Sequence, residues 1–406
     1  MEDSNGLLAD EEERRVLFAA LDSFRQYRKA AHYNVTHRRR QNFYALPTSQ
    51  WQMLAGPPFN ILSKFDRVDD AIDANAEIAA CLVESGTRFF GLTVKPEHNS
   101  IEAWGYARPL DMDKARSTIN QLYRDWSTEG EVERQGCYNP VLDDLKRAFP
   151  DKDRSEIKVL IPGAGLGRMV FEVCKLGFSA EGNEVSFHQL ITSNWVLNNL
   201  SPGEQYDLYP FASTFSNSLT LEHQLKVVKV PDIHPGDELD KASSGASKHA
   251  FERMSMTAGD FILLYGDEAQ SNRFDAVVSV FFIDTAPNVL RYIEVVHSCL
   301  KEGGLWINLG PLLWHFEEHS KSDHEDCHIN GNFADRGIGE PGSVELTEEE
   351  LLLLLQRMGF EIEKHEVKTD GLGYIQNLES LFQPLYRASY WLVRKLRVKD
   401  RTGVYL

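Results

Sequence analysis

Apolar positions change their period once along the chain, near residue 156. Before it they recur at helical spacing: Leu17, Leu21 and Phe24 share a face and the stretch 71–83 repeats the pattern, so 11–107 reads as mainly helical. Within 113–126, Ala115, Ile119, Leu122 and Trp126 lie on one face, leaving Gln121 and Arg124 as neighbours on another. Beyond 156, short β-branched runs alternate with helical segments, the pattern of a mostly parallel sheet covered by helices on both faces.

Residues 157–161 read as a buried strand. A glycine loop follows, then a helix turning Val170, Val173 and Cys174 inward and stopped by Gly177, and a second strand at 178–184. Ser186 can cap a helix carrying Leu190, Ile191, Trp195 and Leu197. The irregular 201–255 is broken by a strand at 226–230 and holds a Ser/Gly/Lys loop at 241–248 that reads as mobile. An apolar strand at 274–283, a helix at 288–300 and a strand at 305–309 come next. Thr347 and Glu350 form a capping box ahead of five leucines, and strands at 360–367 and 390–393 close the sheet. The expected regions are a disordered acidic start (1–14), a helical region (15–150) and a sheet domain (151–406) with a flexible insertion near 236–255.

Composition places the chain among folded proteins, with 42% hydrophobic and 26% charged residues. Charge narrows the partners. A formal charge of -18 repels phosphate backbones and anionic lipid, so neither nucleic acid nor a membrane is expected, and the basic run 37–40 reads as a solvated helix face. The start lacks the pattern of a secretory signal, no apolar run nears the roughly 20 residues that span a bilayer, and the five cysteines show no CxxC spacing. A cytoplasmic location, extending to the nucleus, is the expectation. His315, His319, His324, Cys327 and His328 fall within 315–328 but match no closed zinc spacing, so they read as a surface loop and no metal is expected.

Gly163-Ala164-Gly165-Leu166-Gly167 lies between a strand and a helix, where missing side chains let a ligand approach free backbone N–H groups. A dinucleotide fingerprint would put its third glycine where Arg168 stands; the spacing is GxGxG instead, which favours S-adenosylmethionine over NAD. Glu184, at the end of the next strand, can accept both ribose hydroxyls. Asp260 and Phe261 fall near the end of the third crossover, where an acid and an aromatic can accept from the adenine amino group and cover its ring; a plain Gly-Asp turn is the competing reading.

The blocks VLIPGAGLGR, GNEVSF, SMTAGDF, FFIDTAPNV and GGLWINLGPLLWHF, with RDWS and CYNP upstream, resemble carnosine N-methyltransferases over roughly 110–395, and more weakly from about 15. The resemblance implies a class I methyltransferase fold, a Rossmann-like, mostly parallel sheet with an antiparallel C-terminal strand behind an N-terminal helical region. It implies that Gln121, Arg124, Gly163, Gly165, Glu184, Asp260, Phe261 and Val280 line an S-adenosylmethionine site, and that Asp284, His315, Tyr374 and Tyr386 contact an imidazole dipeptide. Val280 and Pro384 depart from the family pattern, which carries cysteine and tyrosine there. On this reading Asp284 accepts from one imidazole N–H while the other nitrogen is methylated, His315 orients the substrate, and the product is anserine. Asp284 could instead cap the helix that starts near Pro287. The partners expected are a small imidazole dipeptide, with self-association as a homodimer left open. Other readings remain: methylation of histidine in peptides or proteins or of another small amine, and an inactive cofactor-binding scaffold; an NAD-dependent oxidoreductase fits the glycine spacing poorly.

Overall fold

The structure, a computed structural model, describes residues 10–92, 104–150, 153–243, 247–316 and 342–397. Its strands are β1 (Lys158–Pro162), β2 (Ser179–Glu184), β3 (Tyr206–Leu208), β4 (Val228–Val230), β5 (Met254–Ala258), β6 (Phe274–Val280), β7 (Leu300–Gly310), β8 (Phe360–Val367) and β9 (Ser389–Lys395). Seven form one sheet in the order β5-β2-β1-β6-β7-β9-β8. The first five in that order run parallel, and β9 lies antiparallel between β7 and β8. This is the class I methyltransferase sheet, mostly parallel with an antiparallel strand near its C-terminal edge.

Sequence explains the strand positions. β1 is buried along four of its five residues, as a central strand covered on both faces must be. β8 alternates buried Phe360 with charged Glu361, Glu363 and Lys364, which suits an edge that should not recruit another strand. On one face of the sheet, Trp306, Trp391 and Phe360 pack with Tyr292, Ile293 and Val296 of the helix Val289–Cys299 and with Leu351 and Leu355 of the helix Glu348–Arg357. Thr347 and Glu350 make the expected capping box on that last helix.

The chain divides into two compact units, and the division is not a single cut near residue 150. One unit comprises 1–132, 187–235 and 374–384; the other comprises 133–186, 236–373 and 385–406. The first holds the helices Glu11–Ala31, Ile61–Phe89, Pro109–Trp126 and Phe187–Asn198 together with the small antiparallel pair β3–β4. The second holds the large sheet.

Several elements differ from expectation for identifiable reasons. Helix starts at Glu11, inside the acidic stretch read as disordered, because the Asp10 carboxylate caps it and Glu11, Glu12 and Glu13 sit favourably at its positive end. β4 is shorter than the strand expected at 226–230 and pairs outside the main sheet. β5 escapes the sequence pattern because, as the other edge strand, it carries Ser255 and Thr257 and no fully buried residue. The strand expected over 274–283 stops at Val280: Phe281 takes φ 54° and 283–285 forms a tight turn. Phe282 and Ile283 still enter the core, so the apolar run continues although the strand does not. Residues 235–242 and 250–253 are helical within the insertion read as flexible; positions 244–246 of its loop, like 1–9 of the N-terminus, lie outside the described residues.

Inside the helical unit, His188 is buried against Ser23. The serine hydroxyl donates to the Ala20 carbonyl at 2.7 Å and therefore accepts from His188 Nε2 at 3.0 Å. Burial, reinforced by the Lys114 charge and opposed by Asp111, pushes the imidazole from 6.5 down to about 4. The folded pKa lies below the unfolded one, so this group's stability is complete above about 6.5 and is lost as pH falls toward 4. A loss on the order of 3 kcal/mol is expected across that window. Denaturant melts of the native protein and His188→Gln at pH 7 and pH 4 check it: the two should diverge at pH 7 and converge at pH 4.

Candidate active site

Left-handed backbone builds the loop after β1. Gly163 has φ 64° and Gly165 φ 56°. A Cβ on Gly163 would come within 2.5 Å of the Phe282 ring, whereas one on Gly165 would meet nothing within 4 Å. The first glycine is demanded by the protein's own packing; the second leaves space open above the backbone. The helix Arg168–Lys175 follows and buries Val170, Val173 and Cys174 as expected.

Beside the loop, β2 ends on Glu184, which is 5% exposed. Its Oε2 accepts from Gly165 N at 2.9 Å and its Oε1 from Val185 N and Ser186 N, both at 2.9 Å. Burial raises its pKa, opposed by these three N–H donors. The expectation that both oxygens accept ribose hydroxyls meets a geometric limit here, because Oε1 already takes two donors. Oε2, with one of these bonds, is the better placed to accept a hydroxyl.

Backbone bonds extend the arrangement to β5. Ala164 N donates to Asn183 O at 2.9 Å, Gly259 N donates to Glu184 O at 3.0 Å, and Asn183 Nδ2 donates to Gly259 O at 3.0 Å. Gly163, Gly165, Glu184 and Asp260 are thereby brought together at the carboxyl edge of the sheet, where open α/β folds bind ligands. Asp260 Oδ1 caps the short helix Phe261–Tyr265 through Ile262 N and Leu263 N, so the turn reading of this acid is also realised. Phe261 is a correction to the ring-covering role: its ring is 2% exposed, stacked on Tyr292 with centroids 5.3 Å apart and edge-on to Phe282 at 5.6 Å. Both neighbours belong to the apolar cluster under the sheet, and burial there outweighs exposing the ring at the edge.

Val280, half-buried, ends β6. Phe281 N donates to Leu309 O at 2.8 Å across the parallel pair, and the chain then turns so that Asp284, 3% exposed, follows. Asp284 Oδ2 accepts from Leu313 N at 3.1 Å, and its backbone carbonyl accepts from His315 N at 3.1 Å. The capping alternative is thereby excluded, since Asn288 caps the helix Val289–Cys299 with its side chain on Arg291 N. Burial raises the Asp284 pKa, partly offset by the Leu313 N–H and the charge of His315. His315 is exposed; His319, His324, Cys327 and His328 lie outside the described residues. Tyr386 pairs its backbone with Leu372 in both directions and sets its ring edge-on to Phe281 at 6.0 Å.

Gln121, Arg124 and Tyr374 belong to the helical unit. Gln121 Oε1 accepts from Gln189 Nε2 at 3.0 Å, and the buried Arg124 lies over the Tyr374 ring at 4.8 Å. The structure thus joins residues assigned separately to cofactor and substrate. Sequence reading missed Gln189, Phe281, Phe282 and the Leu313 amide, since each acts through a partner distant in the chain.

A family model described as carnosine N-methyltransferase matches residues 101–397. The chain is 34% identical over 398 residues to the carnosine N-methyltransferase of Schizosaccharomyces pombe, covering 97% of this chain and 99% of that one. It is 35% identical over 401 residues to the carnosine N-methyltransferase of Mus musculus, covering 97% and 89%. With the carnosine N-methyltransferase unmet of Drosophila melanogaster it shares 37% identity over 291 residues, covering 71% and 56%.

The two glycines predict different outcomes. Gly165→Ala carries only the left-handed strain, about 1 kcal/mol, while Gly163→Ala adds the clash with Phe282 and should cost roughly 1–3 kcal/mol more. Thermal melts of both variants check the order; a Gly163→Ala protein as stable as Gly165→Ala contradicts the packing described.

Proposed function

We propose, for a chain that belongs to the carnosine N-methyltransferase family, that it methylates an imidazole nitrogen of carnosine (β-alanyl-L-histidine) to give anserine, with S-adenosylmethionine as donor, and that related histidine dipeptides are accepted. The observation that carries this reading is the buried Asp284 carboxylate, held by the Leu313 amide on the sheet edge that bears the glycine loop and Glu184.

The residues at that edge suit the cofactor. Open space above Gly165 admits a ligand against the backbone, and Glu184 stands where a ribose hydroxyl would be accepted. When bound, S-adenosylmethionine supplies an electrophilic methyl on a sulfonium. Gln121, Arg124 and Val280 are assigned to it, and Tyr374 to the dipeptide, on the family pattern.

What remains for the protein is alignment. A neutral imidazole presents one nitrogen with a lone pair and one with hydrogen. Asp284 accepts a hydrogen bond from that N–H, which selects the nucleophilic nitrogen and opposes the positive charge the ring gains as the methyl–sulfur bond breaks and the methyl–nitrogen bond forms. The N–H proton then passes to the carboxylate and on to solvent, leaving the anserine ring neutral. His315, tied to Asp284 through the backbone, orients the dipeptide, and the Tyr386 ring forms a wall with a polar tip.

Asp284→Asn keeps the shape and removes the charge. Turnover of carnosine with labelled S-adenosylmethionine should fall at least about 100-fold. The thermal shift produced by S-adenosylhomocysteine should persist. Equal loss of both would refute the role. Running the native enzyme on carnosine, homocarnosine, free histidine and protein extract tests the acceptor: the dipeptides should be preferred, and labelling of protein alone overturns the assignment. Activity should decline below about pH 6.5 as the substrate imidazole protonates. Because burial raises the Asp284 pKa, that carboxylate should protonate in less acid solution than an exposed one, steepening the decline.

A further inference from the structure

Three polar groups on one face of the large sheet have no hydrogen-bond partner among the described residues: Asn308 Nδ2, Trp391 Nε1 and Ser389 Oγ. Their residues are 1%, 0% and 5% exposed. Buried polar groups are nearly always satisfied, so three unsatisfied ones together need an explanation.

Register places them side by side. Asn308 of β7 stands opposite Trp391 of β9, and Gly310 stands opposite Ser389. Ser389 and Trp391 are two apart on one strand and so face the same way. The Trp306 and Trp391 rings, with centroids 4.8 Å apart, confirm that this is also the face of Trp306. Glycine at 310 puts no side chain opposite Ser389. Opposed Cβ atoms lie about 5 Å apart, within the roughly 6 Å that two hydrogen bonds through one small molecule span, and the length of the side chains shortens the gap across the diagonal pairs at about 7–8 Å.

A directed chain of hydrogen bonds already leads there. Trp306 Nε1 donates to Ser279 Oγ at 2.9 Å, so the hydroxyl hydrogen is left to donate to Asn308 Oδ1, at 2.8 Å. With its oxygen accepting from Ser279, the Asn308 amide is left with its NH2 unpartnered among the described residues. Two of the three groups only donate, and the hydroxyl can do either. A neutral molecule that accepts twice and donates once matches this set. No cationic or anionic side chain belongs to the three, and the surroundings are apolar, with Trp306, Trp391 and Phe360 in the core cluster, so an ion would carry a large desolvation cost there.

We propose that one internal water molecule is bound by Asn308 Nδ2, Trp391 Nε1 and Ser389 Oγ, completing a hydrogen-bond chain that crosses β6, β7 and β9. The water accepts from the amide and the indole and donates to the hydroxyl, the two-to-four-partner coordination usual for buried water. The proposal is independent of the methyl acceptor.

A crystal structure of the full chain near about 1.8 Å resolution tests it. The expected result is one water peak within about 2.7–3.2 Å of all three atoms. In a Trp391→Phe or Ser389→Ala crystal the peak should weaken or disappear. In solution, the Trp391 indole N–H, identified by its loss in Trp391→Phe, should show cross-relaxation with a long-lived water in ¹⁵N-edited spectra. The proposal is overturned if the three groups bond directly to one another or to another protein atom, or if the indole proton shows only bulk-water exchange. The native protein decides the question even if a variant fails to fold.

Discussion

A carboxylate removed from water persists only where hydrogen-bond donors replace the water, and the carboxyl edge of this sheet is organised around one such group. Glu184 receives backbone N–H donors from Gly165, Val185 and Ser186. Gly165 can deliver its amide because the loop after β1 runs through the left-handed region at Gly163 and again at Gly165. The Glu184 carbonyl accepts from Gly259, so the same residue also sets where β5 ends and Asp260 begins. One side chain and its own backbone therefore fix the mutual positions of three strand ends.

Asp284 is buried on the same edge. Among the described residues, the Leu313 amide donates to its side chain at 3.1 Å, while Gly165, Val185 and Ser186 donate to Glu184. Burial raises the pKa of both acids, and the three backbone donors on Glu184 oppose that shift and hold its carboxylate in place. The backbone bond from His315 keeps the segment after β7 against the turn that carries Asp284, so the two residues keep their spacing without a direct side-chain link.

At the β8 edge of the sheet burial and charge are balanced differently. Asp144, almost fully buried, accepts from the Tyr390 hydroxyl and from Lys364, linking the helix Glu131–Ala148 to β9 and β8. Lys364 and Lys368 lie against the Tyr390 ring at 4.8 Å each. The terminal strands thus use paired charges where the central strands use continuous apolar burial.

The parts of this protein legible in sequence are those governed by local periodicity and local sterics. The β1 run, the glycine loop with its GxGxG spacing, the helix stopped by Gly177, the Thr347–Glu350 cap and the shared face of Gln121 and Arg124 all follow from residues a few positions apart. What tertiary structure alone decided are the outcomes of competition between distant partners. Phe281 ends β6 although the apolar run continues, because Phe282 and Ile283 are wanted in the core. Asp284 meets the Leu313 amide while Asn288 caps the helix. Phe261 is drawn under the sheet by Tyr292, and residues 187–235 join the helical unit. Each depends on a contact whose free energy is set by burial and by donors brought from elsewhere in the chain, which no window of local sequence contains.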